Sequence, residues 1–164
     1  MGSDGNLYVG DTRWHADSTG MFGLRTMKTA IYCDPVGDNS GCLSVIPRSH
    51  RQDFAYDLLS LAKEGVIDFS SPDIPGRTPI ASTPGDLVAF DHRLWHSSWG
   101  GSNHRRMFTM NWSSYPRNEW DEDLLVRWFS PKSAAPYRTK MARLLEVPGL
   151  RHRDKITRLG ELRS

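Results

Sequence analysis

Between Arg25 and Trp112 each apolar run is only a few residues long, and many are bounded by Gly, Pro, Asp, Asn or Ser. Such punctuation favours a fold built from short strands. Arg25 to Cys33 reads as one strand, with Ala30, Ile31, Tyr32 and Cys33 at its apolar end. Asp34-Pro35-Val36-Gly37-Asp38-Asn39-Ser40-Gly41 then forms a turn cluster. Cys42 to Pro47, Asp86 to Phe90, Leu94 to Ser97 and Arg105 to Trp112 read as further strands, and Leu7-Tyr8-Val9 as an earlier one. One helical signal interrupts them: Phe54, Leu58 and Leu61 at i, i+4, i+7, with Gly65 where a C-terminal cap belongs. The prolines between Ser70 and Thr83 leave room there for at most one short extended piece. This spacing predicts a mainly β sandwich or barrel with flanking helices, not a parallel α/β sheet.

Beyond Trp112 the pattern turns helical. Trp120, Leu124 and Trp128 share a face, and Tyr137 to Leu145 reads as a second helix. A chain of 164 residues is one domain by length. Its expected division is a barrel core over 5–115 and a C-terminal helical extension over 116–164.

The chemistry centres on Arg13-Trp14-His15-Ala16-Asp17. Residues i and i+2 of a strand share a face, so His15 and Asp17 would leave the backbone side by side. Alone, such a pair is also what a solvated strand end looks like. A third ligand comes much later, in Leu94-Trp95-His96-Ser97-Ser98. Two histidines and one carboxylate on one side of a metal make the facial triad of non-haem Fe(II) oxygenases, which leaves coordination positions open. His92, four residues before His96 and of the same strand parity, is the rival ligand.

Composition narrows the partners. No apolar run approaches a membrane span, and the chain opens with no charged-then-apolar leader. Cys33 and Cys42 are the only cysteines and are expected to be reduced, in a cytoplasmic protein. From Lys132 to Ser164 nine Lys/Arg face three Asp/Glu, a net +6 that leaves −4 elsewhere. Basic residues interleaved with aromatics, as in base-stacking surfaces, are lacking. Neither nucleic acid nor membrane is therefore an expected partner; self-association stays open.

Several segments together resemble the phytanoyl-CoA dioxygenase family of Fe(II)/2-oxoglutarate oxygenases. They are Trp14-His15-Ala16-Asp17, Gly41-Cys42-Leu43-Ser44-Val45-Ile46-Pro47-Arg48-Ser49-His50, Pro84 to Asp91, Leu94-Trp95-His96-Ser97-Ser98 and Asn103 to Arg106, in family order. The resemblance implies a double-stranded β-helix, a jelly-roll barrel with the metal inside one mouth. It implies His15, Asp17 and His96 as ligands of Fe(II), with 2-oxoglutarate as cosubstrate and O2 as oxidant. The expected reaction hydroxylates a small metabolite or natural-product intermediate and releases succinate and CO2. Retention of Asp17 speaks against a halogenase, where a small residue stands instead.

The family places an arginine shortly after the distal histidine for the far carboxylate of 2-oxoglutarate, and its planar fork suits a carboxylate. Arg105 and Arg106 both qualify. Arg105 alternates with Met107, Thr109 and Asn111, a polar lining suited to a filled interior, whereas Arg106 alternates with Phe108, Met110 and Trp112. Arg105 is therefore preferred, with Ser98 and Lys28 as further candidates for the cosubstrate. Trp14, Trp95 and Trp99 are candidates for pocket lining or core. Two departures from the family stand out. Arg48 replaces a glycine of the Pro-Gly-Ser-His turn. Only 14 residues precede His15, so the N-terminal part is expected to be short or missing. Two competing readings remain: a catalytically silent jelly-roll binding module, and a cupin-like metal enzyme that does not use 2-oxoglutarate.

Overall fold

The computed structural model describes residues 2–8, 10–18, 24–101, 105–121 and 124. The chain divides into two compact units, Ser3–Ser113 and Ser114–Ser164. The expected helix over Tyr137 to Leu145, the residue Trp128 and the basic tail lie outside the described residues.

Among its described residues the first unit holds eight strands and one helix: β1 (Gly2–Tyr8), β2 (Thr12–His15), β3 (Thr26–Tyr32), β4 (Leu43–Val45), α1 (Gln52–Lys63), β5 (Thr78–Ile80), β6 (Leu87–Asp91), β7 (His96–Ser98) and β8 (Arg105–Ser113). One sheet runs β1-β8-β3-β6 and the other β2-β7-β4-β5. First strand pairs with last, second with seventh, third with sixth and fourth with fifth. That nesting is a jelly roll, and it makes each sheet four-stranded.

The alternation of β3 shows how the layers are sorted. Lys28, Ala30 and Tyr32 line a cavity between the sheets, while Met27 and Ile31 lie on the other face. In the second sheet the central strands β4 and β7 are buried at every position. Leu43 and Val45 pack inward on Phe90 of β6.

A second core lies outside that sheet. Trp14, with parity opposite to His15, joins Ile46, Leu58, Ile67, Ile74 and Trp95. Its indole N–H donates to the Ser71 carbonyl at 3.0 Å, and Phe69 stacks on Trp95 with centroids 4.3 Å apart. Trp14 and Trp95 are thus core, with Trp99 packed against them, and not pocket lining. The face of α1 differs from expectation in one position. Phe54, Leu58 and Ala62 turn inward and Leu61 is 39% exposed, because steps of four carry the stripe around the helix axis. The helix ends as expected. Gly65 takes φ 76°, and its N–H donates to Ala62 at 3.1 Å while that of Val66 donates to Leu61 at 2.9 Å. This is the Schellman pattern. Both cysteines are free. Among the described residues no helix is long and apolar enough to cross a membrane.

Arg48 adopts φ 72°, the only non-glycine residue among those described with positive φ. The left-handed conformation costs a side-chain-bearing residue about 1–2 kcal/mol. Its guanidinium lies 5.9 Å from the Phe54 ring centroid, a contact that returns about 0.5–1 kcal/mol. Arg48→Gly should therefore leave stability within about 1 kcal/mol of wild type, whereas Arg48→Val, β-branched at positive φ, should lower Tm by several degrees. Thermal unfolding of both variants checks this; equal losses would show that backbone strain is not what distinguishes them.

Candidate metal centre

β2 and β7 meet across an irregular register. Thr12 pairs with Ser98 and His15 with His96, so one extra residue is absorbed between them. Bulges of this kind re-aim side chains, and here the two imidazoles face each other with centroids 4.3 Å apart. Asp17 reaches the same point by another route. The strand ends at His15 and Asp17 sits in a bend, so strand alternation over i and i+2 does not explain its position. The Ser18 N–H, donating to the His92 carbonyl at 3.2 Å, ties down the chain just beyond.

Asp17 Oδ1 lies 3.6 Å from His15 Nε2, and Oδ2 lies 3.7 Å from His96 Nε2. The ligand atoms of the three residues fall within 4.8 Å of one another. His92 is buried at 1% exposure and stands outside that group. Each ligating ring is oriented by its other nitrogen. His15 Nδ1 is 2.8 Å from the Arg13 carbonyl and His96 Nδ1 is 2.8 Å from that of Leu94. A carbonyl can only accept, so Nδ1 carries the proton and Nε2 keeps its lone pair for a metal. Asp17 Oδ2 is buried and its close neighbours are cationic or imidazole groups, Lys28 Nζ at 2.7 Å and His96 Nε2 at 3.7 Å. Donor set, tautomers and the buried carboxylate oxygen all fit a divalent first-row cation.

The electrostatics are graded. Burial opposes ionisation of Asp17, but His15, Lys28 and His96 outweigh it and hold the carboxyl well below the usual range. Burial pushes His96 down to about 4. The Asp17 carboxylate, ready to accept from a protonated Nε2, raises His15 above its ordinary 6.5.

His15 and His96 line a cavity of about 80 Å³ between the sheets, whose wall also includes Lys28, Ser98 and Arg105. Arg105 is 3% exposed and its Nη1 donates to the Gly41 carbonyl at 2.9 Å. Ser98 donates its hydroxyl to the same oxygen, also at 2.9 Å. Arg106 instead points outward and pairs with Asp34 at 2.7 Å. Lys28 sits not with Arg105 but on Asp17, Nζ to Oδ2 2.7 Å. Sequence reading took Gly41 only for a turn residue and missed its carbonyl as the shared acceptor. The signal lay in the Ser40-Gly41 and Gly100-Gly101 pairs. Gly41 has φ +89°, and a Cβ there would come within 2.6 Å of Gly101 Cα.

The family model for phytanoyl-CoA dioxygenase (PhyH) matches residues 6–108. The chain belongs to the phytanoyl-CoA dioxygenase family. Similar solved structures include EvdMO1 at 25% identity and TM-score 0.50, covering 70% of this chain and 25% of that one. EctD from S. alaskensis, solved with 2-oxoglutarate and 5-hydroxyectoine, is 23% identical at TM-score 0.50, covering 71% and 44%. Apo HygX from Streptomyces hygroscopicus is 13% identical at TM-score 0.51, covering 68% and 55%. The last two support the fold alone. The chain spans a quarter to about half the length of these neighbours. No curated protein matches its sequence.

The gradation sets a pH dependence for metal binding by this PhyH-family chain. Asp17 stays ionised and His96 stays neutral down to about 4, so His15 is the group that must lose a proton. Its pKa is raised, so protonation competes with the metal from near neutrality downward. Affinity for a divalent metal should fall by about tenfold per pH unit below neutrality, a one-proton slope. Calorimetric titration with Mn(II) between pH 8 and pH 5.5 measures it; a flat profile to pH 5.5 would remove His15 from the ligand set.

Proposed function

We propose that this chain carries the catalytic core of an Fe(II)- and 2-oxoglutarate-dependent dioxygenase that hydroxylates a small organic metabolite or natural-product intermediate. The observation that carries the reading is the convergence of His15, Asp17 and His96 at a cavity whose wall includes the buried Arg105. Family membership supports it.

In this reading His15 and His96 bind the metal through Nε2, and Asp17 contributes the one anionic ligand. Iron, when bound, supplies the activation of O2 that is coupled to oxidative decarboxylation of 2-oxoglutarate. The protein's task is to bind, orient and keep dry. Arg105 takes the far carboxylate of the cosubstrate, since a guanidinium in a cavity favours an anion and its fork matches two carboxylate oxygens. Ser98 shares the Gly41 carbonyl with Arg105 and is placed to donate to the same carboxylate once that hydroxyl turns. Leu43, Phe90 and Met107, also in the cavity wall, limit water around the reacting groups. The two free cysteines support a reducing compartment, the cytoplasm.

A metal enzyme that does not use 2-oxoglutarate would need the three ligands but not Arg105. The distinguishing experiment is anaerobic titration with Fe(II) and then 2-oxoglutarate, following the weak visible charge-transfer band. The band should form in wild type and be lost, or need at least about tenfold more 2-oxoglutarate, in Arg105→Ala. Iron binding with no band at any 2-oxoglutarate concentration would overturn the cosubstrate assignment.

A further inference from the structure

The contact between Lys28 and Asp17 is one that a bound metal cannot share. The ammonium lies 2.7 Å from Oδ2, and both side chains are only 19% exposed. On the other side of the carboxylate stand His15 and His96, the remaining members of the ligand group. Lys28 is therefore seated at the metal end of the cavity. Its register partners are Asn111 on β8 and Phe90 on β6. Arg105 lies six residues further along β8, roughly 20 Å of extended chain, so the two cations serve different ends.

Asp17 needs a cation at all times. A carboxylate taken out of water without a partner is strongly unfavourable, and an imidazole that has given up its proton offers no full compensating charge. Without metal, Lys28 supplies it. With a divalent metal on the same carboxylate, three positive charges would crowd one anion in a poorly solvated site, and the ammonium would be repelled.

We propose that Lys28 is a placeholder cation, neutralising Asp17 in the metal-free protein and displaced from it when a divalent metal binds. One cation replaces another; the ammonium keeps its proton and no bond is made or broken. The proposal rests on the metal-centre reading above, and it assigns Lys28 a positioning role toward Asp17 in place of the cosubstrate contact expected from the sequence.

The signature is a pair of opposite effects. In Lys28→Met the metal-free protein should melt lower, because Asp17 loses its counter-charge. The same variant should bind Mn(II) about three- to tenfold tighter, because a competitor is gone. Lys28→Arg, which keeps the charge, should resemble wild type in both. A lysine that merely braces the wall would lower melting temperature and metal affinity together. The experiment is calorimetric titration of the full chain with Mn(II), repeated anaerobically with Fe(II), alongside thermal unfolding without metal. Wild type that binds metal while Lys28→Met binds equally or more weakly overturns the placeholder role alone. Wild type that binds no metal overturns the metal centre and this proposal with it.

Discussion

The pairing of β2 with β7 is the interaction on which the site depends. Two strands of four and three residues carry His15 and His96 to directly opposed positions. Neither strand could hold that register alone, since isolated strand pairs are marginal in water. What holds it is burial on both sides. Outward, Trp14 and Trp95 are locked into the core beneath α1. Inward, Leu43 and Val45 of the neighbouring β4 pack on Phe90. The imidazoles are thus positioned by apolar contacts one residue away from them, and their own hydrogen bonds, to Arg13 and Leu94 carbonyls, only select the tautomer.

The second constraint is charge. The wall of one largely apolar cavity carries Lys28 and Arg105, with Asp17 paired to Lys28, and each is there because its alternatives are closed. Strand alternation along β8 sends Arg105 inward and Arg106 outward, where Asp34 receives it. The register of β3 against β8 puts Lys28 opposite Asn111, at the far end from Arg105. A single bend brings Asp17 back under the two histidines. The result is a polarised pocket, with the His15, Asp17 and His96 group at one end and the Arg105 guanidinium at the other. That separation is what a metal and a dicarboxylate bound side by side would require.

Much of this was legible in the sequence, for identifiable reasons. The strands were readable because turn formers bound many of the apolar runs, and the Arg105 face because period-two alternation survives in a nine-residue strand. The grouping of His15, Asp17 and His96 was readable from side-chain chemistry. Their geometry was not: Asp17 converges through a bend that no periodicity encodes, and its pairing with Lys28 is set by the packing of β3 against the residues just past β2. Leu61 was misjudged for a similar reason, since three apolar residues at helical spacing do not reveal which of two adjacent flanks the neighbouring loop covers. The nested strand order could not be derived from spacing either, because it is a property of long-range pairing; the resemblance to a known family carried that step.

The least visible element is also the one that holds Arg105. Gly41 and Gly101 cross so closely that Gly101 Cα occupies the place of a Gly41 side chain, and Gly100 lies against the Asn39 carbonyl in the same way. Only backbones without Cβ atoms can approach like this at positive φ. The Gly41 carbonyl there accepts from both Ser98 and Arg105. A guanidinium has several rotatable bonds and would otherwise sample many positions. One backbone oxygen, fixed by a glycine crossing, narrows that freedom before any carboxylate arrives. Arginine supplies the charge at this end of the cavity, but its aim is a property of the turn that precedes β4.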